Sequence, residues 1–253
     1  MNKVCCIIRY ELKMQMKRFA TWGVIAAALL IAMLDNFPSA GNLARLEFLL
    51  QPAYFIYRTM SLDGLILIFG LLFLVSSRIH MDKRLGMKNL FMTVPIRKGQ
   101  YVAGKLLGGI LFTFSAITIF LTLNMAIYIL CSPSKLPLME YILPLIKTVV
   151  ICGLPISCFI GCCAVLLPAI MDIRLFYLLF SVVFIINAMA VGSADEMPFY
   201  LITSGDLMKL IWQHPKFIFD NFNSVLANIS FLLGCGLCSV MLVMANRKFW
   251  RAE

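Results

Sequence analysis

Apolar residues in this chain come in long runs with the polar residues gathered between them, and they do not alternate with the period of a strand. Runs at about 19–36, 61–77, 106–130, 142–170, 175–192 and 222–245 each come close to the roughly 20 residues that a helix needs to cross a hydrocarbon core. In that core every backbone polar group has to be satisfied within its own segment, which selects helices. The pattern therefore predicts an all-α polytopic membrane protein with six transmembrane helices in a single domain over 1–253. The second run can begin earlier, because "LEFLLQPAYFIY" before it is also apolar, and the fourth contains Pro144, Pro155 and Pro168.

Ahead of the first run, residues 1–18 read as an amphipathic interfacial helix. At about 100° per residue Arg9, Lys13 and Lys17 form one stripe, and Val4, Ile8 and Leu12 lie opposite it. Glu11 and Gln15 interrupt the apolar side. Basic side chains at anionic headgroups and aliphatic ones toward the acyl chains would lay this helix along the membrane surface, with lipid as its partner. Beyond the membrane, 37–60 and 193–221 are longer than tight turns require. The second mixes apolar patches with Pro198, Gly205 and Pro215, and it fits a cap and a gate equally well.

Composition agrees with this picture: 62% of residues are hydrophobic, 13% are charged, and the mean hydropathy is +0.93. A water-soluble domain of this length could not cover that much apolar surface. The net charge of +10 raises the question of nucleic acid, but the basic residues are unevenly placed. With the N-terminus inside, only Arg45, Arg58, Lys135, Lys147, Lys209 and Lys216 of the 22 lysines and arginines fall outside. That is the positive-inside bias, with both termini cytoplasmic, so the charge reports orientation and no nucleic-acid partner is expected.

The most polar internal stretch, 78–105, lies between the second and third runs. "MDKRLGMKNLFMT" can form a short helix, Pro95 disfavours helix at Val94, and a further helix is expected to start near Lys98. The protrusion presents Leu85, Leu90 and Phe91 beside a ring of positive charge, a surface suited to a groove on a partner protein. The order Asp82, Lys83, Arg84 and Gly86, the apolar pair Leu90 and Phe91, "TVPIRK" at 93–98, Tyr101 and Lys105 resembles the segment between helices two and three of ABC-2-type transporter permeases. The six runs and the amphipathic N-terminal helix resemble that family as well. The resemblance implies a bacterial cytoplasmic-membrane exporter subunit in which 78–105 is a coupling helix docked on a separate ATPase subunit. Leu85, Leu90 and Phe91 would be buried in the ATPase cleft around the bend at Pro95. Lys83, Arg84, Arg97 and Lys98 would pair with acidic groups there or with lipid phosphates. A second copy of this permease, or a similar one, would complete the pathway, and ATP and Mg would be held by the partner ATPase. Amphipathic peptides, lipids and hydrophobic drugs are the cargo classes that suit an apolar pathway.

Other chemistries lack their residues. No phosphate-binding G-x-x-x-x-G-K-[ST] occurs, so no nucleotide cofactor is expected on this chain; "GKLLG" at 104–108 instead places small residues four apart, which lets helices approach closely. No H-E-x-x-H and no G-x-S-x-G is present, and His80 and His214 fall on opposite sides of the bilayer, so neither an enzyme nor a metal site is expected. "CGLC" at 235–238 reads as small packing residues at lipid depth. An ion-coupled carrier or channel is the alternative function. Its candidates for polar groups on a pathway or between helices are Asn124, Asn187 and Asn228. Asp63 and Lys147 near the outer surface, and Asp172 and Arg174 near the inner one, are expected to stay wet by snorkelling.

Overall fold

The computed structural model describes residues 3–36, 51–84, 98–131, 136–190, 201 and 222–246, with side chains placed for all of these except 62, 79–84, 98, 190, 222 and 224. Every element among them is helical: α1 (Lys3–Met16), α2 (Phe19–Asn36), α3 (Pro52–Arg58), a π-helical turn (Thr59–Asp63), α4 (Gly64–Arg84) and α5 (Lys98–Cys131). There follow α6 (Leu138–Thr148), a second π-helical turn (Val149–Gly153), α7 (Leu154–Leu166), a 3-10 turn (Leu167–Ala169), α8 (Ile173–Ala190) and α9 (Phe222–Ala245).

Among the described residues, four helical stretches are long and apolar enough to cross a membrane: Phe19–Asn36, Gly99–Cys131, Leu138–Ala169 and Val225–Ala245. The pair Pro52–Ser61 and Gly64–Arg78, bent by 43°, makes a fifth if it is counted as one span. The run predicted at 175–192 falls on α8, whose apolar part, Ile173–Met189, is shorter than these. At 1.5 Å per residue it is about 26 Å long, against a hydrocarbon core of about 30 Å.

The second π-helical turn falls inside a predicted span, and the first straddles the predicted start of another at 61. Pro155 has no N–H to donate, and its ring opposes the carbonyl four residues back, at Ile151. That carbonyl lies within the second π-helical turn, whose wider winding accommodates the mismatch. The first π-helical turn contains no proline and carries three buried polar residues, Thr59, Ser61 and Asp63.

The core is organised around α7, which packs against α4, α5 and α9 and is buried along nearly its whole length. Its sequence "GCCA" at 161–164 explains this position, because small side chains let neighbouring backbones come close. Phe112, Phe120 and Phe176 fill the spaces around it and are fully buried. α2 packs on α4, where Gly70 lies against Val24, and α8 also rests on α4. On the outside, Phe19, Leu34, Leu130, Leu178 and Met189 are largely exposed. An apolar exterior of this extent marks a membrane-embedded bundle.

Candidate functional site

The polar stretch predicted to couple the chain to a partner begins and ends on described helices. α4 runs on through Arg84, so Met81–Arg84, expected to open a separate short helix, instead continue the second span. α5 is described from Lys98 onward. Leu85, Gly86, Leu90, Phe91, Pro95 and Arg97 lie outside the described residues, as do the side chains of Asp82, Lys83, Arg84 and Lys98. What the structure does show is how the two bordering helices are held.

They are held by α1. Its predicted basic stripe, Arg9, Lys13 and Lys17, is exposed, and Val4, Ile8 and Leu12 are half-buried. The centre of the inward face is nevertheless polar: Glu11 and Gln15 are its buried residues, and the helix is seated on α5. The two glycines of "GKLLG" provide the seat. A Cβ at Gly104 would come within 2.7 Å of Ile7 Cγ2, and one at Gly108 within 2.8 Å of Glu11 Cβ. The close approach predicted from that spacing is therefore present, with α1 as the partner.

Gly108 makes room for the Glu11 side chain, and Glu11 gathers a buried ionic cluster. Its Oε1 accepts from Arg78 Nε at 2.8 Å and from Gln15 Nε2 at 3.1 Å, and its Oε2 accepts from Lys105 Nζ at 2.7 Å. Arg78 Nη2 also reaches Met14 Sδ at 2.9 Å. The side chains of Glu11, Arg78 and Lys105 are 2%, 5% and 4% exposed, so bulk water screens the cluster little. Arg78 lies near the end of α4 and Lys105 near the start of α5, so one carboxylate ties together the two helices that border 85–97 and the helix that precedes the first span.

Burial disfavours a charge on Glu11, but the Lys105 ammonium and then the Arg78 guanidinium outweigh it and hold the carboxyl below the usual carboxylate range. A carboxyl that titrates lower in the folded chain than in the unfolded one contributes its full stability above the ordinary value near 4.5. It loses that contribution as the pH falls through the lowered value. Seating of α1 is thus expected to be constant from about pH 8 to about pH 5 and to loosen only in more acidic solution. Protease cleavage between α1 and α2 in the reconstituted chain reads this, and loosening that sets in near neutrality would contradict an ionised Glu11.

The junction to α2 is fixed by side chains from the far side of the turn. The last carbonyls of α1 have no partners within the helix. Thr21 Oγ1 donates to the Gln15 carbonyl at 2.8 Å, and Trp22 Nε1 donates to that of Met16 at 2.9 Å. Arg18 Nη1 reaches the Leu74 carbonyl and Ser77 Oγ, both at 3.4 Å, tying the same turn to α4.

The three asparagines separate. Asn124 is buried in α5, donates to the Phe120 carbonyl of its own helix at 3.0 Å, and leaves Oδ1 without a partner among the described residues. Asn187 donates to the Val183 carbonyl at 2.9 Å and accepts from the Leu201 backbone at 2.8 Å. Asn187 and Asn228 line one cavity; Asn124 is elsewhere. Asp172 and Arg174 are exposed, as snorkelling requires, but Asp63 is not. At 1% exposure it is buried and accepts from Asn36 Nδ2, because the bent second span turns it toward the end of α2. All nine cysteines are free thiols, and among the described residues no group of three His, Cys, Asp or Glu is placed to hold a metal ion. No family model, curated protein or solved structure matches this chain.

Nothing local in the sequence marks Glu11 as the organiser of this end of the molecule. In the sequence it reads as a flaw in an amphipathic helix, and Arg78 and Lys105 read as orientation charges. The usable signal was an acidic residue and a glutamine one turn apart on the side opposite the basic stripe, which is where a helix meets its support.

Proposed function

We propose that this chain is the membrane permease subunit of an ATP-driven exporter of the ABC-2 type, with no catalytic site of its own. The reading rests on the resemblance of 82–105 to that family's coupling segment. The structural observation that carries it further is the Glu11 cluster. A push delivered at 85–97 has to move its two bordering helices together if it is to tilt a bundle, and Glu11 joins those helices to each other and to α1. In this reading 78–105 faces the cytoplasm of a bacterial cell and Leu85, Leu90 and Phe91 enter a cleft on an ATPase subunit that holds ATP and Mg. A second permease, the same chain or a similar one with six helices of its own, completes the pathway. Nucleotide binding then shifts the pair between inward-facing and outward-facing states, through its differential affinity for the two.

Replacing Leu90 with aspartate tests this directly. A buried apolar anchor at an interface contributes about 2 kcal/mol or more, so Leu90→Asp is expected to lower transport-coupled ATPase stimulation more than tenfold while the chain stays in the membrane. Unchanged stimulation and transport would overturn the coupling role.

A second reading, an ion-coupled carrier, is favoured by one observation, the buried Asp63 carboxylate beside Asn36. Ionisable groups at membrane depth are often relays. Asp63→Asn separates the two readings: transport that survives the substitution and still requires ATP supports the exporter, and transport lost with it supports the carrier.

A further inference from the structure

A cavity of about 370 Å³ lies between α8 and α9, floored by α7. α8 rests on α4 and α9 on α7, and the gap lies between these two outer helices. Phe159, Phe180, Val183, Phe231, Leu232 and Cys238 form much of the wall. No charged side chain lines it among the described residues. Two of its polar side chains are engaged within the chain: Asn187 as described above, and Ser239 Oγ, which donates to the Cys235 carbonyl at 2.9 Å. Pockets that orient drug-sized molecules do so with a few well-placed polar groups on an apolar wall. Here much of that polar capacity is already consumed, and carbon and sulfur dominate the surface that remains.

Shape narrows the occupant further. The lining positions run from Asn228 to Ser239 on α9 and from Leu179 to Asn187 on α8. At 1.5 Å per residue these stretches are roughly 12–17 Å long, so the cleft is drawn out along the two helices, as an extended hydrocarbon chain is. The cleft opens on the apolar exterior, where Leu179, Phe231 and Cys238 are themselves exposed.

We propose that this cleft is a binding site for one acyl chain of a membrane phospholipid, taken in sideways from the bilayer. The proposal requires only that the bundle is embedded in a membrane and is independent of the exporter reading. An apolar cavity of this kind does not retain water, and a hydrocarbon chain restores the dispersion contacts that an empty wall forfeits.

The test uses the full chain in phosphatidylcholine nanodiscs doped with a phosphatidylcholine that carries a photoactivatable diazirine in one acyl chain. Adducts are located by mass spectrometry after digestion. Adducts are expected to concentrate on the cavity-facing positions of 179–187 and 228–239. Val183→Trp, which fills the cleft, is expected to reduce them about tenfold, whereas Leu178→Trp on the outward side of the same helix leaves them unchanged. Labelling spread evenly over both faces of α8 and α9 in the unsubstituted chain would overturn the proposal without reliance on either variant. It would also be overturned by equal cavity labelling from a compact uncharged ring probe, which would show a site without chain selectivity, or by cross-links between two copies at Leu179 and Phe231, which would make the cleft a subunit interface.

Discussion

Replacing Glu11 with alanine is expected to destabilise the folded chain by about 3–5 kcal/mol, the usual consequence of removing one partner from a buried ionic cluster. The magnitude follows from what stays behind. Arg78 and Lys105 are almost fully buried and both point at the Glu11 carboxylate, at 2.8 and 2.7 Å. Without it two cations face each other away from water, where desolvation costs each several kcal/mol and their repulsion adds to the penalty. Glu11→Gln keeps the shape but not the charge and is expected to fall between alanine and the original. A triple replacement of Glu11, Arg78 and Lys105 by methionine removes all three charges and is expected to recover most of the loss, since well-packed apolar groups often replace a buried ionic set at little cost. Thermal unfolding of the purified chain in detergent measures all three, and an alanine variant as stable as the original would show that the cluster does not hold α1.

The second large effect is expected at Gly161. A Cβ there would stand 2.5 Å from Ile110 Cγ1 and 2.9 Å from the Ile110 backbone N and Cα. A side-chain tip can swing aside, but the backbone of α5 cannot move without shifting everything packed on it. Gly161→Ala is therefore expected to destabilise the crossing of α5 and α7 by about 1–3 kcal/mol through overpacking. Gly23 and Gly234 are the controls, because a Cβ on either meets nothing within 4 Å. Alanine at those positions only removes backbone freedom from the unfolded chain and is expected to stabilise by about 0.5–1 kcal/mol. Opposite signs for the same substitution, measured as shifts in the unfolding midpoint, would establish the crossing as a tight contact. The same sign at all three sites would contradict it.

These two sites show what a sequence of this kind exposes and what it conceals. Long apolar runs declare helices because the hydrocarbon core leaves the backbone few other choices. The spacing of Gly104 and Gly108 declared a close contact but not its partner. What was concealed is long-range pairing. Glu11 and Lys105 are 94 positions apart, and Asn36 and Asp63 are 27 apart, so nothing local distinguishes a residue with a distant partner from one in solvent. The central place of α7 was hidden for a different reason. The stretch that contains α7 is the most apolar of the candidate spans, but only by a small margin over lipid-facing helices, so hydropathy separates them weakly and the small residues of 161–164 are the better guide.

The Glu11 cluster also imposes an order on biosynthesis. Its carboxylate leaves the ribosome 67 residues before Arg78 and 94 before Lys105. At roughly 5–20 residues per second the nascent N-terminal segment therefore waits on the order of 5–20 s before the second cation exists. During that interval the segment is an unanchored amphipathic peptide at the translocon exit, and its docking becomes the event that registers that the third hydrophobic run has arrived.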